Sequence, residues 1–141
     1  MSRKVERTPA EWQQLLSPLR FKVLRQAGTE PPFVGRLTDT TTAGRYVCGC
    51  CQAPLFRSET KFHSGCGWPS FYDDLGDGVV EIKVDRSHGM VREEILCAAC
   101  GGHLGHVFND GPKPTGRRYC VNSASVDLVP DAPGSETVRG A

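Results

Sequence analysis

Cys48-Gly49-Cys50-Cys51 and Cys97-Ala98-Ala99-Cys100 each carry two thiols at the ends of a four-residue stretch, the spacing at which one tight turn aims both sulfurs at a tetrahedral ion. Two such pairs make a closed four-sulfur site, and zinc is the ion expected in it. Four thiolates leave no open position for a substrate, so the ion would be structural. Gly101-Gly102 after the second pair suits a turn that wraps a metal, because glycine tolerates positive φ; Gln52 after the first pair offers no such help. The alternative is that the pairs are separate redox dithiols or buried core cysteines.

Of the seven cysteines, Cys50, Cys66 and Cys120 are then left over. Cys120 lies in Arg117-Arg118-Tyr119-Cys120-Val121-Asn122, where a cationic neighbour favours thiolate and an amide can donate to a developing charge. It is a candidate nucleophile. Cys66 lies in the glycine-flanked loop Ser64-Gly65-Cys66-Gly67-Trp68-Pro69-Ser70, whose mobility suits a resolving thiol. Cys50 reads as a small buried hydrophobe or a spare thiol. His103 and His106, three apart after the second cysteine pair, are candidates for general acid work, with metal ligation as the alternative.

These groups must be held by a scaffold, and one domain of 141 residues is long enough to bury a core. Thr8-Pro9-Ala10-Glu11 has the hydroxyl, proline and acid of a helix start, and Ser17-Pro18 begins a second helical stretch through Leu24 that ends near Gly28. From Tyr46 onward the pattern changes to short β-prone runs such as 78–84 and 124–129, broken by glycine and proline. The reading is a mainly β fold with antiparallel sheets and small N-terminal helices, over residues 8–130. Segments 1–7 and 131–141 are expected as flexible tails. Without βαβ alternation, a parallel sheet and a thioredoxin-like fold are not expected.

Lys and Arg number 17 against 16 Asp and Glu, so no charge excess exists to hold a nucleic acid or an anionic membrane. No apolar run follows the basic N-terminus, which points away from a signal peptide or membrane span. A cytoplasmic monomer is the default, and there seven cysteines bind metal or carry redox chemistry more often than they form disulfides.

Three segments carry a resemblance. Lys61-Phe62-His63-Ser64-Gly65-Cys66-Gly67-Trp68-Pro69-Ser70-Phe71, Gly102-His103-Leu104-Gly105-His106-Val107-Phe108 and Arg118-Tyr119-Cys120-Val121-Asn122-Ser123-Ala124-Ser125 together closely resemble the methionine-R-sulfoxide reductase B family. The likeness runs from about Glu11 to Val129 and includes both Cys-x-x-Cys pairs. It implies two antiparallel β-sheets with small helices packed on them, and zinc away from the active site. It also implies Cys120 as nucleophile, Cys66 as resolving cysteine, and Trp68 as the wall for the substrate methyl group. His103, His106, Asp110, Arg118 and Asn122 would line the polar side. Two positions depart from the family pattern: His63 stands where an acid is more usual, and Gln52 where glycine is usual.

On this reading Cys120 attacks the sulfoxide sulfur, with His103 the first choice to protonate the leaving oxygen. The resulting sulfenic acid condenses with Cys66, and thioredoxin reopens the disulfide. Methionine R-sulfoxide in proteins is the expected substrate. On local sequence alone, Trp68 could instead be core and Asp110 a plain turn residue. The rival functions are a zinc-ribbon binding module without catalysis and a peroxide-reducing thiol enzyme.

Overall fold

The computed structural model describes residues 4–141. Helix α1 (Pro9–Leu15) begins with the reciprocal cap that its sequence specifies: Thr8 Oγ1 accepts from the Glu11 amide at 3.2 Å, and Glu11 Oε1 accepts from the Thr8 amide at 2.8 Å. Its Trp12 is buried. Ser17 caps the short α2 (Pro18–Arg20), which runs into one π-helical turn, Phe21–Arg25. Val23 and Leu24 of that turn enter the core.

Ten strands follow: β1 (Gly44–Cys48), β2 (Pro54–Arg57), β3 (Lys61–Phe62), β4 (Ser70–Phe71), β5 (Val80–Asp85), β6 (Arg92–Cys97), β7 (His103–Phe108), β8 (Arg118–Val121), β9 (Val126–Pro130) and β10 (Val138–Arg139). They form two antiparallel sheets, one ordered β10-β9-β1-β2 and the other β3-β4-β8-β7-β6-β5. The mainly β, two-sheet fold with small N-terminal helices is therefore as the sequence implied.

Aromatic side chains join the sheets. Tyr46 and Phe56 from the first sheet meet Phe71 and Tyr119 from the second, with Phe56 stacked on Phe71 at 4.4 Å and Tyr46 edge-on to it at 4.9 Å. Each such pair adds about 0.5–1.5 kcal/mol beyond the area it buries.

A buried ion pair ties the helices to this core. The Arg20 guanidinium binds the fully buried Asp127 carboxylate on β9 and also donates to Val126 O at 3.2 Å. Gln52 Nε2, the Gly140 amide and the Arg139 guanidinium also donate to the carboxylate, at 3.1, 3.2 and 3.2 Å. Buried charge is tolerated when it is paired and saturated in this way.

The end segments make more order than their composition suggests. Within 131–141, β10 pairs with β9, and within 1–7 the Val5 amide donates to Ala99 O at 2.9 Å. The expectation for the first segment falls partly on residues 1–3, which lie outside the described residues. Both attachments are made by backbone groups, so side-chain composition gives no sign of them.

Candidate active site and metal centre

Cys48 ends β1 and Cys97 ends β6, so each cysteine pair wraps the turn that leaves a strand. The turns close through Gln52 N to Cys48 O at 2.9 Å and Gly101 N to Cys97 O at 2.7 Å. Both closing residues have positive φ, +65° and +79°. Glycine takes that conformation freely. Gln52 instead offsets its strain with side-chain bonds to Cys48 O and Asp127, both at 3.1 Å.

The sulfurs of Cys48, Cys51, Cys97 and Cys100 all lie within 4.8 Å of one another. Cys48 and Cys100 are 3.7 Å apart, and Cys51 and Cys97 are 3.6 Å apart. A tetrahedral ion with metal–sulfur bonds of about 2.3 Å sets sulfur–sulfur edges of about 3.8 Å, so the four residues fit one. Backbone amides of Cys50 and Gly102 point at Cys48 and Cys100 sulfurs from 3.4 Å, an arrangement suited to thiolates. Cys50 and both histidines stand outside this set.

The candidate nucleophile lies elsewhere, in the second sheet. Cys120 occupies the middle of β8, with Ser70 of β4 opposite it on one side and His106 of β7 on the other. Gly105 permits this approach, because a Cβ there would fall 1.9 Å from Cys120 O. Cys66 comes from the loop before β4, and its sulfur is 3.2 Å from that of Cys120. Ser64 and Ser70 hydroxyls contact Cys66 Sγ at 2.9 and 3.3 Å.

Arg118 is the cation beside Cys120, as its place in the sequence suggested. Its Nη1 lies 2.7 Å from Cys120 Sγ, while Nε and Nη2 grip Asp110 in a two-point bond of 2.9 and 3.0 Å. The guanidinium also sits over the Phe108 ring at 4.4 Å. Asp110 thus orients Arg118 and is not merely a turn residue.

Two thiols this close cannot both ionise freely. Burial first, and then Cys66, push the Cys120 thiol up to about 12, against the pull of Arg118. Burial also raises Cys66, but its hydrogen bonds with Ser64 and Ser70, the Trp68 backbone and Cys120 together outweigh it and bring the thiol down to about 7. The pair therefore gives up one proton near neutrality and keeps the other. On these shifts Cys66 loses its proton first, while Arg118, 2.7 Å from Cys120 Sγ, is the group that favours charge on Cys120.

A cavity of about 330 Å³ opens onto Cys120, lined among others by Cys66, Trp68, His106, Arg118 and Asn122. The Trp68 indole donates to Glu30 O at 3.0 Å. Asn122 is held on both sides of its carboxamide, donating to Leu104 O at 3.1 Å and accepting from the Glu30 amide at 3.0 Å. His106 Nε2 is 3.0 Å from Asp85 Oδ2, and this histidine is the main reason that Asp85 stays well below the usual carboxylate range.

The structure does not bring His103 to that cavity. Its Nδ1 bonds Glu94 at 2.5 Å and its ring lines a separate hollow near Arg25 and Cys100. Burial lowers its proton affinity ahead of Glu94's opposing effect. The imidazole that shares the cavity with Cys120 is His106; the His103 ring stands behind it, 5.6 Å away between centroids.

The SelR domain family matches residues 16–130, most of the chain. Among curated proteins, a peptide methionine sulfoxide reductase MsrB of Pseudomonas savastanoi pv. phaseolicola is 57% identical over 128 residues, covering 90% of this chain and 97% of the relative. MsrB of Leptospira interrogans is 56% identical over 126 residues, covering 89% and 96%, and MsrB of Acinetobacter baumannii is 56% identical over 125, covering 89% and 90%. The chain belongs to the MsrB family.

Within this MsrB chain, several residues of the site went unnoticed in the sequence. Glu30 holds Trp68 and Asn122 through its backbone, and its buried side chain accepts from the Ala124 amide at 2.8 Å. Asp85 and Glu94 support the two histidines. Only the acid in Thr29-Glu30-Pro31-Pro32 had a local signal, a carboxylate beside residues that fix an extended backbone.

Proposed function

We propose that this MsrB chain reduces the R epimer of methionine sulfoxide in polypeptides, with Cys120 as nucleophile and Cys66 as resolving thiol. The observation that carries the mechanism is the pair of sulfurs 3.2 Å apart at the wall of a cavity that also holds Trp68 and His106. An aromatic surface suits the sulfoxide methyl group, and the charged side suits its polar oxygen.

Cys120 thiolate, held beside Arg118, attacks the sulfoxide sulfur. His106 supplies the proton to the oxygen, since it lines the cavity with Cys120 and its ring is held by Asp85. The oxygen passes to Cys120, the sulfoxide is reduced by two electrons, and methionine leaves. Cys120 sulfenic acid then condenses with Cys66, releasing water and forming one disulfide. A dithiol protein of the thioredoxin kind, acting in a reducing compartment such as the cytoplasm, reopens it. Among the described residues no helix is long and apolar enough to cross a membrane.

Zinc is the ion that the four-thiolate set supports. It would join the end of β1 to the end of β6 and so brace both sheets without entering the reaction.

The test is reduction of each separated epimer of a dabsyl-methionine sulfoxide with dithiothreitol, by the wild type and by Cys120→Ser. Turnover of the R epimer alone, lost in the variant, is the expected result. Folded, zinc-loaded protein that reduces neither epimer would overturn the proposal.

A further inference from the structure

We propose that Ser64 and Ser70 form a hydroxyl cradle that holds Cys66 as a thiolate for its attack on oxidised Cys120, which makes them positioning residues of the disulfide-forming step. The inference rests on the reductase reading above and concerns its second half.

The two hydroxyls meet the sulfur from the same side and touch each other. Ser64 Oγ accepts from the Cys66 amide at 3.3 Å and donates to Cys66 Sγ at 2.9 Å. Ser70 Oγ stands 3.3 Å from the same sulfur, and the two hydroxyl oxygens are 2.7 Å apart. The position of Ser70 is fixed because it is fully buried and paired with Cys120 across the β4–β8 ladder. Its hydroxyl also reaches Trp68 O at 3.1 Å.

A hydroxyl offers one proton and two lone pairs, and it rotates to suit its neighbours. Beside a neutral Cys66 thiol, Ser70 donates to Trp68 O and accepts from the thiol. Beside a thiolate, the same hydroxyl turns to donate to sulfur, joining Ser64. Two donors on one buried sulfur offset the cost of burying its charge. The direction of the Cys66 shift, downward to about 7 despite burial, agrees with this geometry.

Other groups also face Cys66. Cys120, Arg118, His106 and Arg92 line the inner cavity with it, and Asp110, His63 and Arg118 line the outer hollow. Cys120 is the ionisable side chain bonded to it, and once oxidised to sulfenic acid it no longer competes for the shared proton. The two serines then remain as the thiolate's side-chain donors. In the step itself Cys66 thiolate attacks Cys120 sulfur, the S–S bond forms, and the S–O bond breaks. The departing hydroxide takes up one proton and leaves as water. The two electrons of the new bond come from Cys66.

The experiment is a rapid-quench single turnover of the reduced, zinc-loaded protein with methionine sulfoxide and no reductant, run from acid to alkaline pH. Disulfide and methionine are measured in the same samples, and Cys66 alkylation is followed separately in the reduced protein. With Ser70→Ala and with Ser64→Ala, disulfide formation at neutral pH should slow about tenfold, the expected scale for losing a hydrogen bond to a charged group. The midpoints of disulfide formation and of Cys66 alkylation should both move upward, and Ser64→Thr should restore them. Slowing by one factor at every pH, with both midpoints unchanged, would mark a packing role and overturn the cradle. Ser64 is only half-buried, so its variants carry the test if Ser70→Ala does not fold. Absence of methionine in the wild type would defeat the reductase reading instead, and the alkylation midpoints would still decide the cradle.

Discussion

His106 lies directly across the β7–β8 ladder from Cys120, and its Nε2 is 3.0 Å from Asp85. On the proposed mechanism this relationship makes His106 the proton donor of the two candidate imidazoles. His106→Asn should lower sulfoxide turnover by ~10²–10⁴-fold, the usual range for loss of a general acid. His103→Asn should lose much less. A steady-state comparison of the two variants decides it, and the reverse order would move the acid to His103.

The two histidines also show where sequence reading stops. Three residues apart on a regular strand, they would face opposite sides, and nothing local says which side holds Cys120. The β6–β7 ladder shifts register between Ile95 and Leu96, and the rings meet at 5.6 Å. Such an irregularity depends on two strands at once. The two cysteine pairs and the Thr8 and Ser17 caps were legible because each is complete within a few residues. Glu30 and Asp85 were not, because their partners lie far away along the chain, and β10 was not, because two residues are too short a run to show a strand pattern.

Removal of the metal should unfold the protein or leave it far less stable, since the four sulfurs bridge the ends of β1 and β6. Thermal melts with and without a strong chelator, beside a metal count per chain, test this. Cys97→Ser should behave as the chelated protein does. An unchanged melt after complete metal loss would contradict a structural ion.

Arg20→Met should cost about 3–5 kcal/mol of stability in urea titrations, because it takes the buried cation from a fully buried carboxylate and leaves it only the exposed Arg139. Asp127 is raised by burial but lowered more by Arg20 and Gln52, so its folded value lies below the unfolded one. Its contribution is therefore complete above about pH 4, the unfolded range for Asp, and is lost as pH falls through the lower folded value. The variant should show a weaker dependence in that acid window.

Gly105→Ala should damage both fold and activity. Its Cβ would fall 1.9 Å from Cys120 O, against backbone that a side-chain rotation cannot clear. Strands β7 and β8 would have to separate, carrying His106 away from Cys120. A lowered melting temperature with a fall in turnover beyond what unfolding explains is the expected pair of results; wild-type values for both would show that the ladder yields at no cost.

The most direct test of the account is one reaction with no reductant present. Reduced protein is mixed with excess methionine R-sulfoxide, methionine is counted, and the modified cysteines are located by peptide mass. One methionine per chain and a single Cys66–Cys120 disulfide are predicted, with Cys66→Ser leaving a trappable sulfenic acid on Cys120. Absence of methionine, or oxidation confined to cysteines other than Cys66 and Cys120, would contradict the account at its centre.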